Sequence, residues 1–335
     1  MKILVVAPSW IGDTVLAQPL LRLLHERHKA LAIDVLAPAW TFPVVQRMPE
    51  VRKAIASPFE HGELQFGERR DLGRQLKSEG YDQAIVLPNT LKSAFVPLFA
   101  RIPKRTGYRG EMRWGALNDL RNLDEAALPE MARRYAALAF EPGAPVPAAL
   151  PPPQLAVDES QRIATLAALG LTGGQRAVAL CPGAEYGPAK RWPPSYFAEL
   201  ARVLAKAGDA VWLVGSAKDA EIAEDIVRLS GGACVNLCGR TTLDQAVELL
   251  ASVRLAVTND SGLMHVTAAV GTPLIAIYGS STPAFTPPMS PRATIAKLDI
   301  ECSPCFERTC PLGHFNCMMQ LKPETVLALA QGRLS

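Results

Sequence analysis

The feature that most constrains the fold is a set of short, almost uninterrupted apolar runs. Each run ends in a loop rich in glycine, proline, asparagine or aspartate. Runs this short and continuous suit strands of a parallel sheet that is buried on both faces. The runs are KILVVAP, AIDVLAP and QAIVLPN in the first half of the chain, and AVALCPG, AVWLVGS, RLAVTND and LIAIYGS in the second.

Helical patterns separate these runs. They are predicted over residues 14–28, 196–207, 220–229, 243–251 and 263–270. Pro19 interrupts the first pattern and should kink that helix or restart it. The alternation predicts an α/β fold with two parallel sheets and helices on both faces of each. Ligands of such sheets bind beyond the carboxyl ends of the strands, so every loop that follows a strand is a candidate site.

A proline-rich stretch over residues 140–160 divides the chain of 335 residues. Proline removes backbone donors and favours extended chain, so no helix or central strand should cross this stretch. We therefore predict a first domain over 1–150 and a second over 151–322. A terminal helix over 323–335 is expected to pack back against the first domain.

The sequence predicts a cytosolic protein. The first apolar run is short and is interrupted by Pro8 and Gly12, which argues against a secretory signal. No stretch approaches the roughly 18 apolar residues that would span a bilayer. Seven cysteines, an odd number, argue against a secreted disulfide framework. The formal net charge of +3 says little by itself about partners.

Asp13 stands at the start of the first helical pattern, in the loop APSWIGDT. The plain interpretation is a helix N-cap, which would contribute about 1 kcal/mol. The alternative is that this carboxylate takes part in chemistry. The loop is not G-x-G-x-x-G, which weakens a dinucleotide-binding interpretation.

A second candidate loop is LCPGAEYGPAKRWPP, where a buried strand runs into a glycine- and proline-rich turn. Glycines at 183 and 187 would let backbone approach a ligand closely. Lys190 and Arg191 together favour a phosphate. Either Pro193 or Pro194 can start the next helix. The alternative is a solvated loop that carries two surface cations.

A third candidate loop is VTNDSGLMHV, where a strand ends at Asp260 and Ser261–Gly262 opens an apolar helix that Gly271 should stop. Free N–H groups and the positive end of the helix dipole make such a turn an anion site. The alternative makes Asp260 or Ser261 a cap and His265 a polar residue on a packed helix.

A fourth loop, LVGSAKD at 213–219, is another strand–glycine–helix turn in the same half. Several such turns at one sheet edge favour a nucleotide site. No D-x-D pair is present for a Mg²⁺–diphosphate complex, and no P-loop motif is present.

Residues 101–121 form a basic stretch that suits an anionic partner, such as phosphorylated lipid, a membrane surface or nucleic acid. The alternative is a solvated face. The stretch contains Arg101, Lys104, Arg105, Arg109, Arg113 and Arg121 against Glu111 and Asp119.

Four cysteines near the end of the chain follow the spacing C-x₂-C-x₄-C-x₆-C. They are Cys302, Cys305, Cys310 and Cys317. The set resembles structural metal ligands without matching a standard zinc-finger spacing. Reduced thiols or facultative disulfides are the alternative. In either case the segment is expected to be a structural loop.

Five motifs together resemble those of the ADP-heptose:lipopolysaccharide heptosyltransferases, and most closely the heptosyltransferase II branch. They are MKILVVAPSWIGDT, VLPNTLKSA, RTGYRGEMRWGALND, CPGAEYGPAKRWPP and TNDSGLMHVTAAVGTPLIAIYG. The likeness runs over nearly the whole chain.

The resemblance implies a GT-B type fold, in which two Rossmann-like domains face each other across a cleft. The first domain would bind the acceptor and the second ADP-heptose. The reaction would be an inverting, metal-independent transfer of L-glycero-D-manno-heptose to the first heptose of the lipopolysaccharide inner core. The resemblance implies no required cofactor. It implies an anionic lipid A–core acceptor, no nucleic acid, and a peripheral position on the cytoplasmic face of the inner membrane.

The resemblance also assigns site residues. The aspartate of the family's GD turn acts as general base and matches Asp13. The expected donor diphosphate ligands are Lys190, Arg191, Ser261, Gly262 and Leu263. The expected nucleotide and sugar contacts are Gly183, Glu185, Gly215, Asp260 and His265. The expected acceptor contacts are Ser9, Gly12, Lys92, Arg105, Arg109 and Arg113.

One departure from the related heptosyltransferase I is visible. Hydroxyl residues precede the donor-site lysine there, whereas Glu185 and Tyr186 stand at these places here.

The alternative functions for this chain are a heptosyltransferase for another core position, a GT-B type sugar-nucleotide epimerase, and a nucleotide- or metal-sensing module without enzymatic activity. A dehydrogenase is disfavoured because no G-x-G-x-x-G follows a strand.

Overall fold

The computed structural model describes residues 1–60, 62–171 and 176–334. The chain divides into two compact units, Met1–Gln154 and Leu155–Ser335. The division falls within the proline-rich stretch, where the chain forms neither helix nor strand between residues 138 and 158. None of the helices described combines the length and apolar character needed to cross a bilayer.

The first unit is a parallel sheet with flanking helices. Its strands are β1 (Lys2–Val6), β2 (Ala32–Pro38), β3 (Val51–Ser57), β4 (Gln83–Val86), β5 (Lys104–Tyr108) and β6 (Asp119–Arg121). Its helices are α1 (Ile11–Leu16), α2 (Gln18–Arg27), α3 (Phe42–Gln46), α4 (Phe66–Leu76), α5 (Phe95–Phe99) and α6 (Met131–Ala137). The strand order across the sheet is β3-β2-β1-β4-β5-β6.

The second unit repeats this plan. Its strands are β7 (Ala177–Cys181), β8 (Ala210–Leu213), β9 (Val235–Asn236), β10 (Leu255–Asn259), β11 (Leu274–Tyr278) and β12 (Ala293–Lys297). Its helices are α7 (Glu159–Ala168), α8 (Pro194–Lys206), α9 (Ala220–Leu229), α10 (Leu243–Ser252), α11 (Gly262–Ala269), α12 (Asn316–Met319) and α13 (Pro323–Leu334). The strand order is β12-β11-β10-β7-β8-β9.

Both sheets have the strand order of a doubly wound nucleotide-binding fold. When the strands of each unit are numbered from its own first strand, both orders become 3-2-1-4-5-6. In such sheets the ligand lies where the strand order reverses. The reversal falls between β1 and β4 in the first unit and between β7 and β10 in the second.

The predicted α/β architecture is confirmed, and all seven apolar runs contain strands. All seven occupy inner positions of their sheets. Pro19 restarts the helix, because α1 ends at Leu16 and α2 carries the proline in its first turn. Pro194, rather than Pro193, is the first residue of α8. The terminal helix α13 lies within the second unit, where it packs against α8 and against β10 to β12.

Five strands lie outside the seven predicted apolar runs, and four of them are the four sheet edges: β3, β6, β9 and β12. An edge strand has one unpaired side and carries polar residues that limit aggregation. Its sequence therefore lacks the continuous apolar run of a central strand. The fifth, β5, is an inner strand with the sequence KRTGY, and it begins inside the basic stretch.

Candidate active site

Asp13 lies at the point in the first sheet where the strand order reverses. It follows β1 and occupies the first turn of α1, and its side chain is half-exposed. The N-cap position belongs to Trp10, so the interpretation of Asp13 as the N-cap residue is wrong. A carboxylate in the first turn of a helix is favoured in its ionised form by the helix dipole. The fold thus presents a negatively charged oxygen acceptor near the surface of this unit.

A buried tyrosine on α6 lies within electrostatic reach of Asp13. Burial raises the pKa of Tyr135 well above its usual range, and the charge of Asp13 raises this pKa further. Tyr135 therefore stays protonated and neutral at ordinary pH. The sequence offered no motif for it, because α6 and α1 are far apart along the chain and meet only in the fold.

Two expected acceptor arginines are engaged with the backbone of their own unit. Arg113 is only 1% exposed, and its guanidinium donates to the carbonyl oxygens of Pro88 (2.6 Å) and Tyr108 (3.1 Å). Arg105 donates to the carbonyl oxygens of Ala116 at 2.7 Å and of Ile102 at 2.6 Å. Both side chains hold the loops around β5 in place through these hydrogen bonds.

The remaining expected acceptor residues are more accessible. Ser9 and Gly12 are half-exposed in the turn that leads to Asp13. Arg109 is exposed, with its guanidinium 5.7 Å from the ring centre of Trp114. Lys92 is half-exposed and donates to the carbonyl oxygen of Gly62 at 2.5 Å. The structure thus brings Ser9, Gly12 and Asp13 together in one turn.

Ion pairs within the first unit neutralise part of the positive charge of the basic stretch. Arg121 contacts Asp119 at 2.9 Å, and Lys104 lies 3.7 Å from the same carboxylate. Arg105 and Arg113 are engaged with backbone carbonyl groups, as described above. Arg101 and Arg109 are therefore the exposed cations of this stretch. The stretch is therefore less positive at the surface than its sequence indicates.

In the second unit, a buried ion pair joins two of the predicted loops. The ammonium of Lys190, after β7, lies 2.5 Å from Oδ2 of Asp260, after β10. The hydroxyl of Ser281, after β11, donates to the same Oδ2 at 2.5 Å. Three neighbouring strands thus contribute one polar cluster at the reversal point of the second sheet. Ser281 was not predicted as a site residue, because the apolar run directly before it, LIAIYGS, indicates only a strand that ends in a turn.

Asn259 fixes the loop that carries Lys190. Its amide donates to the carbonyl oxygen of Pro182 at 2.7 Å, and its Oδ1 accepts the backbone N–H of Trp192 at 3.1 Å. The two bonds hold both ends of the loop against β10. Lys190 therefore extends from a backbone with little freedom to move.

The N-terminus of α11 has the properties of an anion site. Ser261 occupies the N-cap position without a side-chain cap hydrogen bond. Ser261, Gly262 and Leu263 are all half-exposed. The first N–H groups of a helix have no partner within the helix and lie at the positive end of its dipole. An anion here would lie next to the Lys190–Asp260 pair, since Asp260 directly precedes Ser261.

His265 on α11 is buried beside this cluster. Burial lowers its pKa to about 4, the charge of Asp260 opposes that shift, and the charge of Lys190 adds to it. The imidazole is therefore neutral near pH 7. It adds no positive charge to the anion site and can act only as a neutral polar group.

Other expected donor residues lie in the same loops. Arg191 donates weakly to the carbonyl oxygen of Ala184 at 3.3 Å, and its Nε is buried without a partner in the part of the chain that is described. Glu185 forms a surface ion pair with Lys218 at 2.5 Å. Arg191 is half-exposed, and its guanidinium is only weakly committed to other groups in the described part of the chain.

The glycines at 183 and 215 make room for a side chain of the protein itself. A Cβ at Gly183 would lie 2.4 Å from Cγ of Asp219, and one at Gly215 would lie 3.0 Å from its Oδ2. The carboxylate of Asp219 accepts hydrogen bonds from the N–H and hydroxyl of Ser216. This packing accounts for both glycines.

The cysteine-rich segment packs directly against the loop of Lys190. The backbone N–H of Ala189 donates to the carbonyl oxygen of Arg308 at 3.0 Å, and the hydroxyl of Tyr186 donates to that of Phe306 at 2.6 Å. All four cysteines of the segment line a cavity of about 320 Å³ that also contacts Ala189 and Ser280. The segment therefore holds the loop of Lys190 in place through these contacts.

The cysteines are not arranged as a metal site. Over residues 1–60, 62–171 and 176–334, no group of three or more His, Cys, Asp or Glu side chains is placed to hold a metal ion. The seven cysteines are all free thiols. Cys181, Cys234 and Cys238 are buried, as expected for small core residues.

Comparison with known proteins identifies several similar chains. The model of glycosyltransferase family 9 (heptosyltransferase) matches residues 69–316. The chain is 47% identical over 336 residues to lipopolysaccharide heptosyltransferase 2 of Escherichia coli K12, covering 98% of this chain and 97% of that protein. It is 47% identical over 310 residues to lipooligosaccharide heptosyltransferase 2 of Haemophilus influenzae, covering 89% of each.

A solved structure agrees over the whole length. The structure of Escherichia coli ADP-heptose lipopolysaccharide heptosyltransferase II superimposes with a TM-score of 0.88 at 45% identity, covering 100% of this chain and 98% of that chain. A glycosyl transferase of family 9 from Veillonella parvula shares the fold, with a TM-score of 0.87 at 21% identity.

We expect Arg113→Met to destabilise the first unit. The substitution leaves the carbonyl oxygen of Tyr108 without its guanidinium donor and that of Pro88 with only the hydroxyl of Ser93 at 3.2 Å, which should cost about 3 kcal/mol. Urea unfolding measures the loss. The exposed Arg109→Met is the control and should stay within about 0.5 kcal/mol of the parent. Unchanged stability of Arg113→Met, with weaker binding of the acceptor, would show that this guanidinium serves the ligand instead.

We expect His265 to make the second unit acid-sensitive. Its pKa is about 4 in the folded protein against 6.5 in the unfolded chain, so the unfolded chain binds more protons between these values. Stability should therefore fall as pH drops from about 6.5 to about 4, by up to about 3 kcal/mol from this residue. Urea unfolding at several pH values should show a flatter profile for His265→Gln. The exposed His314→Gln is the control, and equal profiles for all three proteins would refute the assignment.

Proposed function

Because the chain belongs to glycosyltransferase family 9, the heptosyltransferases, we propose that it transfers L-glycero-D-manno-heptose from ADP-heptose to the first heptose of the lipopolysaccharide inner core. This is the heptosyltransferase II reaction. The observation that carries the proposal is the placement of charge. Each of the two parallel sheets has its candidate residues at the point where its strand order reverses, with a carboxylate in the first unit and a cationic cluster in the second.

We propose that Asp13 is the general base. The acceptor hydroxyl attacks the anomeric carbon on the face opposite the diphosphate, and Asp13 takes its proton as the new C–O bond forms. The bond between the anomeric carbon and the diphosphate oxygen breaks in the same step, which inverts the configuration. The position in the first turn of α1 favours the ionised carboxylate that this role requires.

The second unit is proposed to bind the donor and stabilise the leaving group. The ADP oxygens gain negative charge as the sugar departs. Lys190, Arg191 and the free N–H groups at the start of α11 would stabilise this charge. Asp260 holds the lysine ammonium in place. Oriented groups of this kind cost little reorganisation when the reaction occurs.

The acceptor is proposed to be the lipid A–core of lipopolysaccharide, bound by the first unit through the turn of Ser9 and Gly12, with Lys92 and Arg109 as cationic contacts. Such an acceptor is anchored in a bilayer, so the enzyme would work at the cytoplasmic surface of the inner membrane as a peripheral protein. The exposed Arg101 and Arg109 would support contact with anionic headgroups.

The acceptor position can be tested directly. Purified protein is offered ADP-heptose with core acceptors that carry no heptose, one heptose or two. Only the acceptor with one heptose should be extended, as measured by ADP release and by the mass of the product. Extension of the acceptor without heptose would assign the first transfer, and ADP-heptose conversion without any acceptor would favour an epimerase.

We expect Asp13→Asn to lower kcat by 10²- to 10⁴-fold, on the order of what a general base contributes. The affinity for ADP-heptose, measured by calorimetry, should not change, because the donor is assigned to the second unit. The amide keeps the size of the side chain, and urea unfolding of the variant checks that the fold is retained. Turnover at the parental rate would show that another group takes the proton.

A further inference from the structure

The cysteine-rich segment places an arginine beside the loop of Lys190. The carbonyl oxygen of Arg308 accepts the backbone N–H of Ala189 at 3.0 Å, and a Cβ at Gly187 would lie 2.4 Å from the same oxygen. This close approach fixes the backbone of Arg308 against the residue directly before Lys190. The side chain of Arg308 is exposed, so the segment adds a cation to the surface beside this loop.

One aromatic ring lies close to both cations. The centre of the Tyr186 ring is 5.1 Å from the ammonium of Lys190 and 5.2 Å from the guanidinium carbon of Arg308. A cation within about 6 Å of a ring centre is attracted to the ring. The hydroxyl of Tyr186 donates to the carbonyl oxygen of Phe306 at 2.6 Å, which ties the ring to the cysteine-rich segment. Through this ring, Arg308 is held in the neighbourhood of Lys190.

The charges of the polar cluster at this sheet edge largely cancel. The ammonium of Lys190 pairs with the carboxylate of Asp260 at 2.5 Å, so the pair carries no net charge. The imidazole of His265 is neutral near pH 7, because burial lowers its pKa to about 4. A diphosphate that gains negative charge as a bond breaks is stabilised by oriented positive charge. A leaving diphosphate here is therefore better stabilised when further cations reach it.

Arg308 carries a positive charge that no carboxylate balances among the residues with described positions. A guanidinium has five N–H donors in a planar fork, and those of Arg308 are exposed and free for an anion. Arg191 is more constrained, because its Nε is buried and its guanidinium also donates to the carbonyl oxygen of Ala184. Arg308 is therefore less committed to the protein than Arg191 is.

We propose that Arg308 is a further ligand of the donor diphosphate, and that Tyr186 is the residue that positions it. The proposal deepens the proposed function and rests on it. A guanidinium binds phosphate oxygens through parallel N–H donors. It takes part in no proton transfer. It neutralises the charge that builds up on the ADP oxygens as the bond to the anomeric carbon breaks. The cysteine-rich segment thereby contributes to donor binding through the arginine that it carries.

The test measures binding of ADP to the purified protein by calorimetry, with no acceptor present. Arg308→Gln removes the charge but keeps the backbone carbonyl that contacts Ala189, so the segment should stay in place. The Kd for ADP should rise about five- to twentyfold. The kcat/KM for ADP-heptose should fall by at least the same factor, while the KM for the acceptor should not change. Arg308→Lys keeps the charge without the fork and should recover part of the affinity.

The matched control is Arg202→Gln, which removes the same charge from the same unit. Arg202 is an exposed arginine on α8. Its substitution should leave the Kd for ADP unchanged. If Arg202→Gln weakens ADP binding as much as Arg308→Gln does, the effect reflects the overall charge of the unit and the assignment of Arg308 is wrong.

The positioning role of Tyr186 is tested by a double-mutant cycle. Tyr186→Leu removes the ring and should raise the Kd for ADP about two- to fivefold, whereas Tyr186→Phe keeps the ring and should recover most of the affinity. If the ring acts by placing Arg308, the double variant Tyr186→Leu, Arg308→Gln should lose less binding free energy than the two single variants together. Additive losses would overturn the positioning role.

The outcomes separate the two proposals. If the parent binds neither ADP nor ADP-heptose, the proposed function fails. If the parent binds ADP and turns over ADP-heptose, and Arg308→Gln does both at the parental level, only the role of Arg308 is wrong.

Discussion

The polar cluster at the reversal point of the second sheet depends on one buried carboxylate. Asp260 is almost fully buried, and a buried charge is stable only when it is paired and hydrogen-bonded. Lys190 and Ser281 meet that requirement from two other loops, so one oxygen atom ties together the ends of β7, β10 and β11. Removing one partner of such a pair costs about 3–5 kcal/mol. In the proposed reaction, the same contact that stabilises the loops would also hold the lysine where the departing diphosphate needs it.

The two units share a strand order but place different chemistry at its reversal point. In the first unit the carboxylate of Asp13 is half-exposed in a helical turn, next to the neutral Tyr135. In the second unit the carboxylate is buried under a lysine, next to the neutral His265. Exposure suits a group that exchanges a proton with a substrate. Burial suits a group that orients a cation. The common fold supplies the position, and the environment of each carboxylate suits the role proposed for it.

Sequence patterns predicted the parts of the fold that depend on continuous burial. All seven apolar runs form inner strands, because a strand covered on both faces favours apolar residues along most of its length. The edge strands were missed because they carry no such constraint, as in VRKAIAS of β3. In the candidate site, the sequence located the loops of Asp13, Lys190 and Asp260. Ser281 and Tyr135 were missed, because their relation to those loops exists only through contacts between distant parts of the chain.

Charge along the sequence was a poor guide to charge at the surface. Residues 101–121 are strongly basic in sequence, yet the structure uses Arg105 and Arg113 to bind backbone carbonyl groups, and Asp119 pairs with Arg121. An arginine has five N–H donors in a planar fork, which makes it suited to fastening several carbonyl groups of an irregular loop. A cluster of arginines beside irregular loops can therefore reflect backbone satisfaction as much as an anionic ligand. The first unit therefore presents few exposed cations from this stretch, namely Arg101 and Arg109.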